Sequence, residues 1–170
     1  MKRQRIVWWV LTVACAGVIL ALSLQSVPQS MQFSGQLTDI VLEQDAEYQT
    51  LTGYRKEARN FEVHDKLRNS AHIIIFAPLA FCAGMLARTY TKKGLVPIAL
   101  PACAAFAIFD EGVQHFRNAG RTFEWADIYR DWQGVLIGVA AAVLVAWILY
   151  VYHRRKQGES TYGVSGSGAG

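Results

Sequence analysis

Four apolar stretches separated by polar segments constrain what this 170-residue chain can fold into more than any other feature. Ile6 to Leu24 contains no charge and, as a helix, is long enough to cross about 30 Å of hydrocarbon. Ser70 to Ala87 is interrupted only by His72, Leu95 to Phe109 is shorter but uncharged, and Gly134 to Tyr152 is uncharged again. A backbone in lipid must satisfy its own hydrogen bonds, so these segments read as four transmembrane helices. The expected fold class is all-α, a four-helix polytopic membrane bundle.

Lys2, Arg3 and Arg5 precede the first span, Arg88, Lys92 and Lys93 lie between the second and third, and Arg154, Arg155 and Lys156 follow the fourth. That asymmetry puts all three groups, and both termini, on the cytoplasmic side. The basic pI of about 9.1 is thereby explained as orientation charge, so no nucleic-acid partner is expected. A signal peptide is the competing reading of the first segment, because Met1 to Arg5 forms a basic leader. The apolar run is longer than the roughly 7–15 residues such a leader uses, which favours a span. Cys15, Cys82 and Cys103 fall in three different spans and are expected to be small packing residues, not disulfide partners or metal ligands.

The membrane domain is expected over residues 1–157, with helices at about 6–24, 68–88, 95–115 and 131–152, and a disordered Gly/Ser-rich tail over 158–170. LQSVPQSMQFSG after the first span reads as a loop. From Gln36 to Tyr48, Leu37, Ile40, Val41 and Leu42 share an arc opposite Asp39, Glu43 and Glu47. This predicts a short amphipathic helix in the first extracytoplasmic loop, either a lid over the bundle or a helix docked at the membrane interface. Tyr48 to Asp65 reads as a mixed-charge connection. Pro78 should bend the second helix, and Pro97 and Pro101 fall in the first half of the third. Gly134, Gly138 and Ala142 give the fourth a small-residue face that lets another helix approach closely.

Most of the unusual polar chemistry lies next to these spans. Arg68 and His72 stand at i and i+4 on the outer end of the second helix, and Asp110 and Gln114 share a face if the third continues past Phe109. Glu111 and His115 repeat that spacing. Asp127 and Asp131 do so at the entry to the fourth helix, where Gly134 and Gly138 continue the stripe inward. The third span covers only about 22 Å, so Asp110 and Glu111 should sit slightly below the outer interface. Charges there are costly unless they face one another, water or a ligand. A compact outer-face cluster is expected in which Arg68, His72 and Arg121 oppose the carboxylates.

These residues in this order resemble the VanZ-like family of small integral membrane proteins. Arg68-Asn69-Ser70-Ala71-His72, with Phe76 and Leu79, is similar to the family's Arg-Lys-x-Ala-His block. Asp110-Glu111-x-x-Gln114-x-Phe116, Gly120-Arg121, Asp127-Ile128, Asp131, Gly134 and Gly138 are similar to its second run. The chain departs from it at Asn69, where Lys is common, at Val113, where His often precedes the Gln, and at Arg117-Asn118-Ala119. The resemblance implies a membrane protein of the bacterial envelope. The founding member is associated with low-level resistance to teicoplanin, a lipoglycopeptide; most members have no assigned activity.

Two readings of the cluster follow. In the first, Arg68, His72, Gln114, Arg121, Asp127 and Asp131 bind an anionic or lipid-linked envelope component, a precursor or a glycopeptide among them, with the aspartates fixing the arginines. The same charges would also stitch helix ends together. In the second, the chain is a hydrolase or transferase acting on lipid-linked phosphate or glycan. Asp110 or Glu111 would be the general base, His72 an acid or phosphate ligand, and Arg121 an electrostatic stabiliser. Oxygen ligands from Asp110, Glu111, Asp127 and Asp131 would suit a divalent ion, but no zinc-type His/Cys spacing occurs, and neither cofactor nor metal is expected. A channel or transporter is disfavoured because the inner halves of the spans lack polar residues. Oligomeric state is not legible.

Overall fold

The fold was taken from a computed structural model, which describes residues 2–91, 95–117 and 123–164. Among the described residues, six helices follow in order: α1 (Lys2–Ser23), α2 (Val27–Glu43), α3 (Ala46–Thr50), α4 (Tyr54–Tyr90), α5 (Leu95–Arg117) and α6 (Trp125–Val164). Within them Lys2–Ser23, Tyr54–Tyr90, Leu95–Phe116 and Trp125–Lys156 are long and apolar enough to cross a membrane. Their outward side chains are large and apolar, including Ile6, Val10 and Val13 on α1, Ile74 on α4 and Leu136, Ile137 and Leu144 on α6. In water such a surface would be an aggregation liability; against lipid it costs nothing. The protein is a multi-pass membrane bundle.

α4 is the central helix, packed against α6, α1, α5 and α2. Its seam with α6 is built on missing side chains. A Cβ at Gly138 would fall 2.1 Å from the Ala77 carbonyl oxygen, and one at Gly134 would fall 2.6 Å from that of Ile73. Lower down, a Cβ at Gly84 would come within 2.9 Å of Ala142 Cβ. Lipid supplies no hydrophobic drive between helices, so close backbone approach through small residues is what holds such a seam together. Around it Ile19, Phe76, Leu79, Ala80, Val135 and Val139 form the buried core. Cys15 is half-buried, Cys82 and Cys103 are buried, and all three are free thiols.

The helices alternate in direction. At one end Arg5 of α1 donates to the Thr89 carbonyl near the end of α4 (Nη2 2.9 Å, Nε 3.2 Å), satisfying an acceptor that the helix terminus leaves open. Trp9 Nε1 donates to Tyr90 Oη at 2.9 Å beside it. At the other end Ser23, the last residue of α1, meets Asp110 near the end of α5. The starts of α1 and α5 and the ends of α4 and α6 therefore share one face.

Outside the spans the structure departs from the sequence reading. The Ser/Gln/Pro-rich segment read as a loop is the first half of α2: extended Ser26 caps it, its N–H donates to Gln29 Oε1 at 3.1 Å, and Pro28 occupies the first turn, where its missing N–H is harmless. The helix expected to run to Tyr48 stops at Glu43, and Asp45 caps α3 by accepting from the Glu47 and Tyr48 N–H groups. Among the described residues of α2, Thr38 and Leu42 are buried, whereas Leu37, Ile40 and Val41 are exposed.

The segment read as a mixed-charge connection is also helical, and α4 begins at Tyr54. Gly53, at φ 55°, makes the turn into it in a region that costs other residues a Cβ clash. Beyond it the charges match helical spacing: Glu62 pairs with Arg59 at i−3 (3.3 Å) and with Lys66 at i+4 (2.6 Å). α6 runs past Lys156 to Val164, and residues 165–170 lie outside the described set.

Candidate functional site

The polar cluster is assembled where the end of α1, the middle of α4, the last turns of α5 and the first turns of α6 meet. Helical spacing does the first part of the work. Asp110 and Gln114 lie one turn apart on α5, and Gln114 Nε2 donates to Asp110 Oδ2 at 2.9 Å. The same carboxylate oxygen accepts from Ser23 Oγ at 2.8 Å, and Gln114 Nε2 reaches Ser23 Oγ at 3.2 Å. The hydroxyl and the amide that reach Asp110 here are neutral donors. Glu111, one residue further on, accepts the Glu124 N–H at 2.9 Å and so fastens α5 to the entry of α6.

The second limb joins α4 to α6 and is held by cations. Arg68 Nη2 donates to Asp127 Oδ2 at 3.0 Å and stands 3.7 Å from Glu124 Oε2. Arg130 donates to the other oxygen of Asp127 from the next turn of α6. His72 Nδ1 lies 2.9 Å from Asp131 Oδ1, and its Nε2 is 3.7 Å from Asp127 Oδ2. With Asp131 ionised, its carboxylate can only accept, and Nδ1 is then the donor in that contact. Asp127 lies in the first turn of α6, where the helix dipole also favours a negative charge. Asp110 and Asp127 both stand within electrostatic range of Asp131, which makes the two limbs one cluster.

Burial is nearly complete. Asp127 and Asp131 are each 1% exposed, and Asp110, Glu111, Gln114 and Ser23 are also buried, with His72 at the edge of that class. Arg68 is different: its side chain is 38% exposed. A guanidinium that reaches down to a buried carboxylate while part of it stays open can still offer donors to something arriving from outside.

Arg68, His72, Gln114, Asp110, Glu111, Asp127 and Asp131 are therefore brought together. Arg121 and Gly120 lie outside the described residues. His115 is exposed, its ring edge-on to Phe116 and Phe123. The sequence reading did not single out Ser23, Glu124 or Arg130. Arg130 was findable, three residues after Asp127 on a helix; Ser23, a hydroxyl at the end of an apolar run, carried no signal of its partner 87 residues away. Among the described residues no set of three or more His, Cys, Asp or Glu side chains is arranged to hold a metal ion, the four-carboxylate group included.

The VanZ/LLP1 family model matches residues 8–149, which takes in the whole cluster. No curated protein and no solved structure matches the chain.

Proposed function

The chain belongs to the VanZ/LLP1 family, and we propose that it uses the outer-end cluster to bind an anionic or lipid-linked component of the bacterial cell envelope. In this reading it spans the cytoplasmic membrane with both termini inside, and binding alters susceptibility to glycopeptides. Arg68 meets the ligand's anionic group, with Arg121 as a second cation. Asp127 fixes Arg68, Asp131 fixes His72, and Gln114 supplies an amide. One observation carries the proposal: the arginine that closes the α4–α6 limb keeps part of its guanidinium open, while Asp127 and Asp131 beneath it are sealed. A cluster that only stitched helices would gain nothing from leaving its cation accessible.

The test compares Arg68→Gln with Asp110→Asn, Glu111→Gln and Arg121→Lys, each assayed for membrane abundance and for sensitivity to envelope-directed antibiotics. Normal abundance with an altered phenotype for Arg68→Gln supports binding. Loss of abundance for every variant assigns the cluster to stitching, and an unchanged phenotype throughout overturns the proposal.

A second reading, a hydrolase or transferase acting on lipid-linked phosphate or glycan, draws on the His72–Asp131 contact, since a carboxylate-oriented imidazole is a common acid–base arrangement. Against it, both ring nitrogens of His72 already face carboxylates. Turnover of extracted lipid-linked precursors by the purified chain, abolished in His72→Gln or Glu111→Gln, would establish this reading; no turnover removes it.

A further inference from the structure

Above the cluster, α2, α3 and the outer part of α4 enclose an open groove of about 790 Å³. Its floor follows a pattern in the sequence of α4. Lys56, Asn60, His64 and Arg68 recur every four residues and all line the groove, and the next member of the series is His72, inside the buried cluster. An i, i+4 row winds slowly around a helix, so neighbouring members present their donors to one ligand. Each of these side chains can donate a hydrogen bond. The apolar part of the lining is Met31 of α2 and Tyr48 of α3, with Phe61 of α4 itself.

Two donors are also in contact with α2 and α3. Lys56 Nζ stands 4.9 Å from the centre of the Tyr48 ring, and His64 Nε2 lies 2.9 Å from Ser34 Oγ on α2. The lining also holds two acids, Glu57 and Asp65. Asp65 accepts from Asn69 Nδ2 at 2.9 Å, and Glu57 sits in the first turn of α4, where the helix dipole favours it. At the lower end of the groove, Arg68 marks the turn at which α4 passes from charged to apolar sequence, so whatever Arg68 holds there adjoins the bilayer.

We propose that this groove binds the phosphate headgroup of a membrane lipid: Lys56, Asn60, His64 and Arg68 contact phosphate oxygens, and the lipid's apolar body lies against Met31, Tyr48 and Phe61. The inference shares Arg68 with the function proposed above and, to that extent, rests on it. It extends the site from the buried cluster outward along four turns of α4.

The test uses the purified full chain in detergent, titrated with short-chain phosphatidic acid, short-chain phosphatidylcholine and inorganic phosphate, with thermal stability and native mass spectrometry as readouts. Phosphatidic acid should bind and stabilise, phosphatidylcholine should bind more weakly, and inorganic phosphate should not compete at equal concentration. The double variant Lys56→Gln/His64→Gln should bind phosphatidic acid about tenfold more weakly or worse, and Lys56→Arg should bind like the wild type. Wild-type affinity in the double variant overturns the groove. If Arg68→Gln abolishes binding while the double variant binds like the wild type, the cluster stands and the groove fails; if neither change matters, both fail. Equal binding of the two lipids, or competition by inorganic phosphate, overturns the headgroup assignment.

Discussion

Nine residues apart on α4, two arginines grip aspartates at almost the same distance: Arg59 to Asp45 at 2.9 Å and Arg68 to Asp127 at 3.0 Å. Their surroundings differ. Asp45 is 19% exposed and caps a five-residue helix outside the four spans, whereas the Asp127 side chain is 2% exposed and is approached by Arg68, Arg130 and His72 together. Separation alone would rank the two pairs equal. What sets them apart is how much water each carboxylate has lost, because a solvated pair can be broken at small cost while a buried charge stripped of its partner cannot.

The comparison can be pressed hardest through the seam beneath the buried pair. Gly138→Val would drive a side chain into the Ala77 carbonyl, a collision with backbone that no rotamer relieves. We expect a loss of about 3 kcal/mol or more, read as disappearance of folded protein from membranes. In any protein recovered, the Arg68–Asp127 contact should be gone and the Arg59–Asp45 contact intact. Asp127→Ala comes next. It leaves Arg68, Arg130 and His72 facing a vacated site and should lower stability in detergent by about 3 kcal/mol, while Asp45→Ala should leave global unfolding nearly unchanged. Equal effects from these two would break the contrast.

Ser23→Ala probes the Asp110 limb. It removes a hydroxyl donor from buried Asp110 but leaves Gln114 in place, so a loss of about 1 kcal/mol is expected in the same melt. The smallest effect belongs to the outer pair. The Arg59 guanidinium, helped by the Tyr48 and Glu47 N–H groups, holds the Asp45 carboxyl below the usual carboxylate range. A carboxyl lowered on folding stabilises fully above its unfolded value near pH 4, and that contribution fades as pH falls through the lower folded value. Hydrogen exchange at the Glu47 and Tyr48 amides should therefore quicken, after correction for intrinsic rates, only in acid below about pH 4. Protection that falls away nearer neutrality would contradict this.

The spans were legible in the sequence because lipid imposes one rule on every residue they expose, and hydropathy reports it directly. The inward stripe Asp127, Asp131, Gly134 and Gly138 was legible for a related reason, since helical periodicity fixes relative facing before any partner is known. The outer arm was harder to read. Tyr54 to Asp65 alternates charges without an apolar face, so nothing in its hydropathy distinguishes a helix from a linker, and the evidence for helix lies in the i+3 and i+4 pairing of Glu62. α2 was shortened for the opposite reason: a Pro and several Ser and Gln residues resemble a loop until Ser26 and Gln29 are recognised as a capping pair. Within the site, contacts along one helix were readable, but the bond from Ser23 to Asp110 depends on how α1 and α5 are docked, which no local pattern encodes.

If burial decides what each partner does, Asp127 holds the helices together and Arg68 is available to a ligand, because Arg130 still pairs with Asp127 when Arg68 is removed. The equilibrium stability of purified Arg68→Gln beside Asp127→Ala addresses that division directly. Arg68→Gln should unfold within about 1 kcal/mol of the wild type, with Asp127→Ala about 3 kcal/mol below it. If Arg68→Gln falls as far as Asp127→Ala, the arginine is a structural clamp and the binding account is wrong.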